Sequence, residues 1–145
     1  MKGYKFRLQK LLDIRVSKEE ECKRRFQEAQ RRRLEVENRL SLLKDNYKKY
    51  STINAKDSII EKKIKHQYLI ALNSSIENTH LELKNKKEKV NEVRLDLKQK
   101  QIDRKTVETL KEKGQDAFIK EQKLIEQKSN DEFALYAFLR NIERR

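Results

Sequence analysis

From Cys22 onward, the apolar residues of this chain recur at alternating steps of four and three. Cys22, Phe26, Ala29, Arg33, Val36, Leu40, Leu43, Tyr47 and Tyr50 fall on one stripe, and all but Arg33 are apolar or aromatic. That spacing keeps side chains on one side of an α-helix and marks a coiled-coil seam. Run backwards, the same register meets Glu19, Arg15, Leu12 and Leu8, so the stripe weakens and then recovers. A first helix over about residues 4–52 is predicted. Phe6 lies off the stripe and is expected to face outward.

A second stripe reads Leu69, Leu72, Ile76, Thr79, Leu83, Lys86, Val90, Val93 and Leu97. Its register then meets Lys100, Arg104, Lys111 and Gly114, with only Val107 between them, before Phe118 and Ile125 recover part of it. A second helix over about residues 59–141 is predicted. Between the stripes, YSTINAKDSII (residues 50–60) gathers Ser51, Thr52, Asn54, Asp57 and Ser58, side chains that compete for backbone hydrogen bonds and favour turns and caps. Ser58 followed by Glu61 matches a capping box. The turn is expected at about residues 53–58, with Asn73–Ser75 as a rival position.

The fold class that follows is all-α: an antiparallel two-helix coiled-coil hairpin with a short turn and a longer second helix, forming one unit over residues 1–145. At 1.5 Å per residue the helices would be about 73 Å and about 125 Å long, so the last thirty or so residues lack a mate. That stretch includes FALYAFL, Phe133 to Leu139, the densest apolar run in the chain. Burying one large apolar side chain is worth about 1.5–3 kcal/mol, so this run should meet a partner or bend back. The competing arrangement is a parallel homodimer through both stripes, which would set Cys22 beside its symmetry mate.

Composition alters this picture only slightly. Charged residues make up 42% and hydrophobic residues 35%, a balance shared with disordered chains, so the periodicity is what argues for order. There is no proline, and the only glycines are Gly3 and Gly114. A glycine inside a helix costs roughly 1 kcal/mol against alanine, so Gly114 admits a close neighbour, marks a bend, or is a tolerated imperfection. Formal net charge is +13; residues 1–72 carry twenty Lys/Arg against ten Asp/Glu. Such an excess attracts nucleic acid, anionic lipid or an acidic protein surface. No run reaches the eighteen apolar residues of a membrane span, so a cytoplasmic chain without a transmembrane segment is expected.

Candidate chemistry is sparse. His66 and His80 are the only histidines, and neither stands in a metal-ligand spacing. Cys22 is single and reads as a small seam hydrophobe. No phosphate-binding glycine loop is present, and two helices abreast offer no water-free cleft in which to tune a pKa. Catalysis, a metal and a cofactor are therefore not expected. The clusters Lys23–Arg25 and Arg31–Arg33 are interleaved with glutamates instead of preceding the seam as a basic region would. Any nucleic-acid binding should be weak and salt-sensitive. The Arg33 guanidinium is expected to escape to solvent.

Two segments carry a resemblance. YKFRLQKLLDIR, residues 4–15, followed by VSKEEE, is similar to the start of the FliJ family, small coiled-coil components of the flagellar type III export apparatus. RKTVETLKEKGQDAFIKEQKLIEQKSNDEFA, Arg104 to Ala134, is similar to that family's second characteristic region. The resemblance implies a non-enzymatic stalk or adaptor that links and regulates a hexameric export ATPase and the cytoplasmic domain of the membrane export gate. It also implies association with export chaperones and a position at the cytoplasmic face of the inner membrane. Carried onto this sequence, the ATPase contact comprises Phe6, Leu8, Leu11, Leu12, Phe133, Ala134 and Tyr136. The gate contact falls in HQYLIALNSSIENT, on Tyr68, Leu72, Ser75 and Thr79 as outward-facing residues. Rival readings are a homodimeric coiled-coil scaffold, the stalk of an injection-type secretion system, and a weak nucleic-acid-binding rod.

Overall fold

The computed structural model describes residues 3–52 and 54–145. Met1, Lys2 and Ile53, which opens the expected turn, lie outside the described residues. Two helices account for nearly everything else: α1, Gln9–Ser51, and α2, Ile59–Glu143. The chain is an all-α two-helix hairpin, and its contacts divide into two compact units, residues 18–101 and residues 1–17 with 102–145.

In the unit of residues 18–101, α1 and α2 run antiparallel. Arg39 on α1 donates to the Glu82 carboxylate at 3.0 Å, and Tyr50, further along α1, meets Tyr68, earlier on α2. The buried side chains include Cys22, Ala29, Val36 and Leu40 on α1, and Leu72, Thr79, Leu83 and Val90 on α2. Val36, Leu40 and Leu83 form one cluster with Ile76 packed against it. Phe26, Leu43, Leu69, Val93 and Leu97 are half-buried at the margins of the same stripes. Tyr47 and Tyr50 stand on the stripe but are exposed; Tyr50 packs edge-on against Tyr68, 5.2 Å between ring centres.

Polar residues at stripe positions are accommodated in different ways. Glu19 is buried with its carboxylate 3.4 Å from Lys23 Nζ, one turn on. Thr79 donates its hydroxyl to the Ser75 carbonyl at 2.7 Å and so enters the seam with its hydroxyl proton bonded. Arg33 departs from expectation. It is half-buried beside Glu37 at 3.6 Å, and its Nε is enclosed without a hydrogen-bond partner, so only the outer part of the guanidinium reaches water.

The turn is built by the expected polar cluster. Ser51 and Thr52 return their hydroxyls to the Lys48 and Lys49 carbonyls, closing α1. Asp57 N–H donates to the Asn54 carbonyl at 3.1 Å. Ser58 and Glu61 then exchange two 3.2 Å bonds, each side chain accepting from the other's backbone N–H. This satisfies donors that every helix start leaves open. Lys65 pairs with Asp57 across the entry, and the hydrogen bond from Lys65 holds the Asp57 carboxyl below its ordinary range. The rival turn does not form: α2 continues through Asn73–Ser75.

The other unit begins with a difference. Residues 4–8 are not helical; α1 starts at Gln9, whereas the stripe alone suggested residue 4. Tyr4 and Phe6 are half-buried while Lys5 and Arg7 are exposed, the alternation of an extended strap on one face. Phe6 therefore does not face outward as expected. The Tyr4 ring lies 5.7 Å from that of Phe118. Lys111 Nζ donates to the Gln9 side-chain carbonyl at 2.8 Å, and Arg15 donates to the Asp103 carbonyl at 2.7 Å, so the pairing is antiparallel here as well. Leu12 and Val107 are buried between the helices.

Gly114 is explained by the strap. A Cβ at this position would overlap the Tyr4 hydroxyl, so the glycine is a notch that receives the ring's far end. Gly114→Ala should therefore uncouple two effects. The α2 helix gains up to about 1 kcal/mol of intrinsic propensity, while Tyr4 is pushed off its seat. Trypsin cleavage after Lys5 and Arg7 is expected to accelerate with no fall in melting temperature; an unchanged cleavage rate would show that the strap does not depend on the notch.

Candidate functional site

The gate-contact quartet is split by the seam. Leu72 is only 5% exposed and Thr79 is also buried, whereas Tyr68 and Ser75 are exposed. Leu72 and Thr79 therefore do not face outward as expected. At 100° per residue they point towards α1, while Tyr68 and Ser75 lie on the flank next to the seam. The only outward surface these four offer is that flank, on which Tyr68 is braced by Tyr50.

The seven ATPase-contact residues are likewise not one patch. Leu12 is buried, Phe6 and Leu11 are half-buried, and Leu8 is exposed, all in the segment that lies along α2 near residues 103–118. Phe133, Ala134 and Tyr136 come at least fifteen residues after Phe118, about 22 Å along the helix. Every described residue from Ile119 to Arg145 is exposed, so no part of the strap or of α1 covers this stretch of α2. Phe133 is 70% exposed, and Leu135, Tyr136, Phe138, Leu139 and Ile142 join it around the whole helix. A helix apolar on all sides is normally buried. Leu135, Phe138, Leu139 and Ile142 were absent from the expected contact set, although the density of FALYAFL is the signal that marks the first three.

No group of three or more His, Cys, Asp or Glu among the described residues is placed to hold a metal. An open groove of about 520 Å³ lies over Ala29 and Val93, walled by Arg25, Arg32, Lys86 and Lys89. Two of its carboxylates are engaged by neighbours on their own helices, Glu28 with Arg32 at 3.2 Å and Glu92 with Lys89 at 3.7 Å. The hydrogen bond from Arg31 keeps the Glu28 carboxyl below its usual range, so it stays ionised instead of serving as an acid. Cys22 is fully buried and His66 and His80 are exposed. No helix among the described residues is long and apolar enough to cross a membrane.

The arrangement offers surfaces for other proteins: an uncovered apolar helix end in one unit, and an aromatic flank beside the turn in the other. A family model described as the flagellar FliJ protein matches residues 4–143. No curated protein and no solved structure matches the chain. The matched span takes in the strap, both helices and the uncovered apolar stretch of α2, and with it the chain belongs to the FliJ family, non-enzymatic components of the flagellar export apparatus.

Proposed function

We propose that this chain is an adaptor between the hexameric export ATPase and the cytoplasmic domain of the membrane export gate, held at the cytoplasmic face of the inner membrane by those partners. The observation that carries the reading is the uncovered apolar end of α2, Phe133 to Ile142. A helix end that stays in water at this cost is suited to a hydrophobic cleft on a partner, and the ATPase is the partner that family membership supplies. The exposed pair Tyr68 and Ser75 is the corresponding surface for the gate, and export chaperones are further partners. The two surfaces belong to different units, and α2 is covalently continuous through both. Binding at one can therefore bias binding at the other only through that helix and what packs on it.

The test separates the two partners. Tyr68→Ala with Ser75→Asp should weaken binding to the isolated gate domain about tenfold, as measured by titration calorimetry, and leave ATPase binding unaltered. Both residues are exposed, so helicity should be retained. Equal loss of both partners, or an unchanged affinity for the gate, would remove the flank from the interface.

A further inference from the structure

The first turns of α2 carry a second apolar face that the hairpin does not use. Ile59 and Ile60 are 84% and 72% exposed, and Ile64 and Ile70 are also exposed. The seam side of the same turns is taken by Leu69, Leu72 and Ile76. At 100° per residue, Ile59, Ile60, Ile64 and Ile70 point away from that side, with Lys63, Gln67 and Ala71 among them. β-Branched residues are mediocre helix formers, so neither local propensity nor packing accounts for four isoleucines here.

The surrounding charge identifies the kind of surface that fits. All seven cations between residues 44 and 71 are lysines, against Asp45, Asp57 and Glu61, and Asp57 is occupied by Lys65. Residues 7–39, by contrast, hold eight arginines. Protein interfaces enrich arginine and deplete lysine. A lipid headgroup layer favours the opposite: apolar side chains at the acyl boundary, and lysines whose stems cover apolar surface while their ammonium groups reach phosphate.

We infer that the turn-proximal isoleucine face of α2, with its lysine surround, is an interfacial binding surface for an anionic lipid bilayer. The isoleucines enter the headgroup zone and Lys56 and Lys63 meet the phosphates. The surface adds a direct lipid contact to the protein-mediated membrane association proposed above, and does not depend on it.

Co-sedimentation of the full chain with vesicles tests the inference. Vesicles of phosphatidylglycerol mixed with phosphatidylcholine should bind the protein, and vesicles of phosphatidylcholine alone should not. Lys56→Gln with Lys63→Gln should lower the partition coefficient roughly 25-fold, about fivefold per lysine. Ile60→Ser with Ile64→Ser should lower it at least about a hundredfold, with unchanged circular dichroism because both sites are exposed. Failure of the wild-type chain to bind would overturn the inference. So would binding that the serine variant retains, which would mean only a film of charge, or binding lost instead when Phe133 and Phe138 become serine. If the serine variant loses affinity for the gate domain while the wild type ignores vesicles, the face belongs to a protein and the lipid assignment falls.

Discussion

Replacing Phe133, Tyr136 and Phe138 together with serine should abolish ATPase binding while leaving the thermal unfolding of the hairpin unchanged. Each ring is exposed in the free chain, so none contributes to folding through burial. If each is buried by the partner at about 1.5–3 kcal/mol, the triple change removes about 4.5–9 kcal/mol, and affinity should fall by at least about a thousandfold. Calorimetry with the hexamer, paired with a circular-dichroism melt, checks both halves of the expectation. Undiminished affinity would mean that the ATPase does not read this end of α2. A lowered melting temperature would mean instead that the rings fold back on the chain in solution.

The second large effect concerns the seam. Leu40→Ala should destabilise the protein by about 2–4 kcal/mol, because a leucine 6% exposed against Leu83 and Ile76 leaves a cavity that two helices cannot close without losing register. Leu42→Ala is the matched control: the same chemical change two residues along, at a site 61% exposed, should cost only a few tenths of a kcal/mol. Urea unfolding of the two variants measures the difference. Equal midpoints would refute the seam assigned to α1.

Much of the hairpin was legible because one physical rule governs most of it. A residue buried between two helices must recur near every three and a half positions, and Cys22, Ala29, Val36, Leu40, Leu72, Leu83 and Val90 do so without tertiary information. Even Glu19 and Thr79 stand on the stripe, and they are buried as their positions require. The turn was legible for a different reason. Ser58 and Glu61 act on their own backbone, so their hydrogen bonds depend on local spacing alone.

The candidate contact residues were less legible, for a reason that Leu72 and Tyr68 illustrate. A residue matched to a partner-contact pattern and a residue matched to a seam can share one sequence position, and only burial separates them. Leu72 is in the seam and Tyr68 is outside it, four residues and about 40° apart on the same helix. The strap was illegible for a related reason. The apolar stripe of α1 runs back to Leu8, and nothing local to residues 4–8 disfavours helix. What ends the helix is remote: Phe118 offers a ring to pack on, and the missing side chain at Gly114 leaves room for the Tyr4 hydroxyl.

The sequence by itself determined the helices, the seam and the turn, since these arise from interactions within a few residues or from a periodicity that any straight helix obeys. Only the tertiary structure decided where α1 begins, which stripe residues remain accessible to partners, and that the unmated end of α2 stays uncovered instead of bending back. Those outcomes depend on which surfaces meet across more than a hundred residues of chain, and no local preference encodes a distance of that kind.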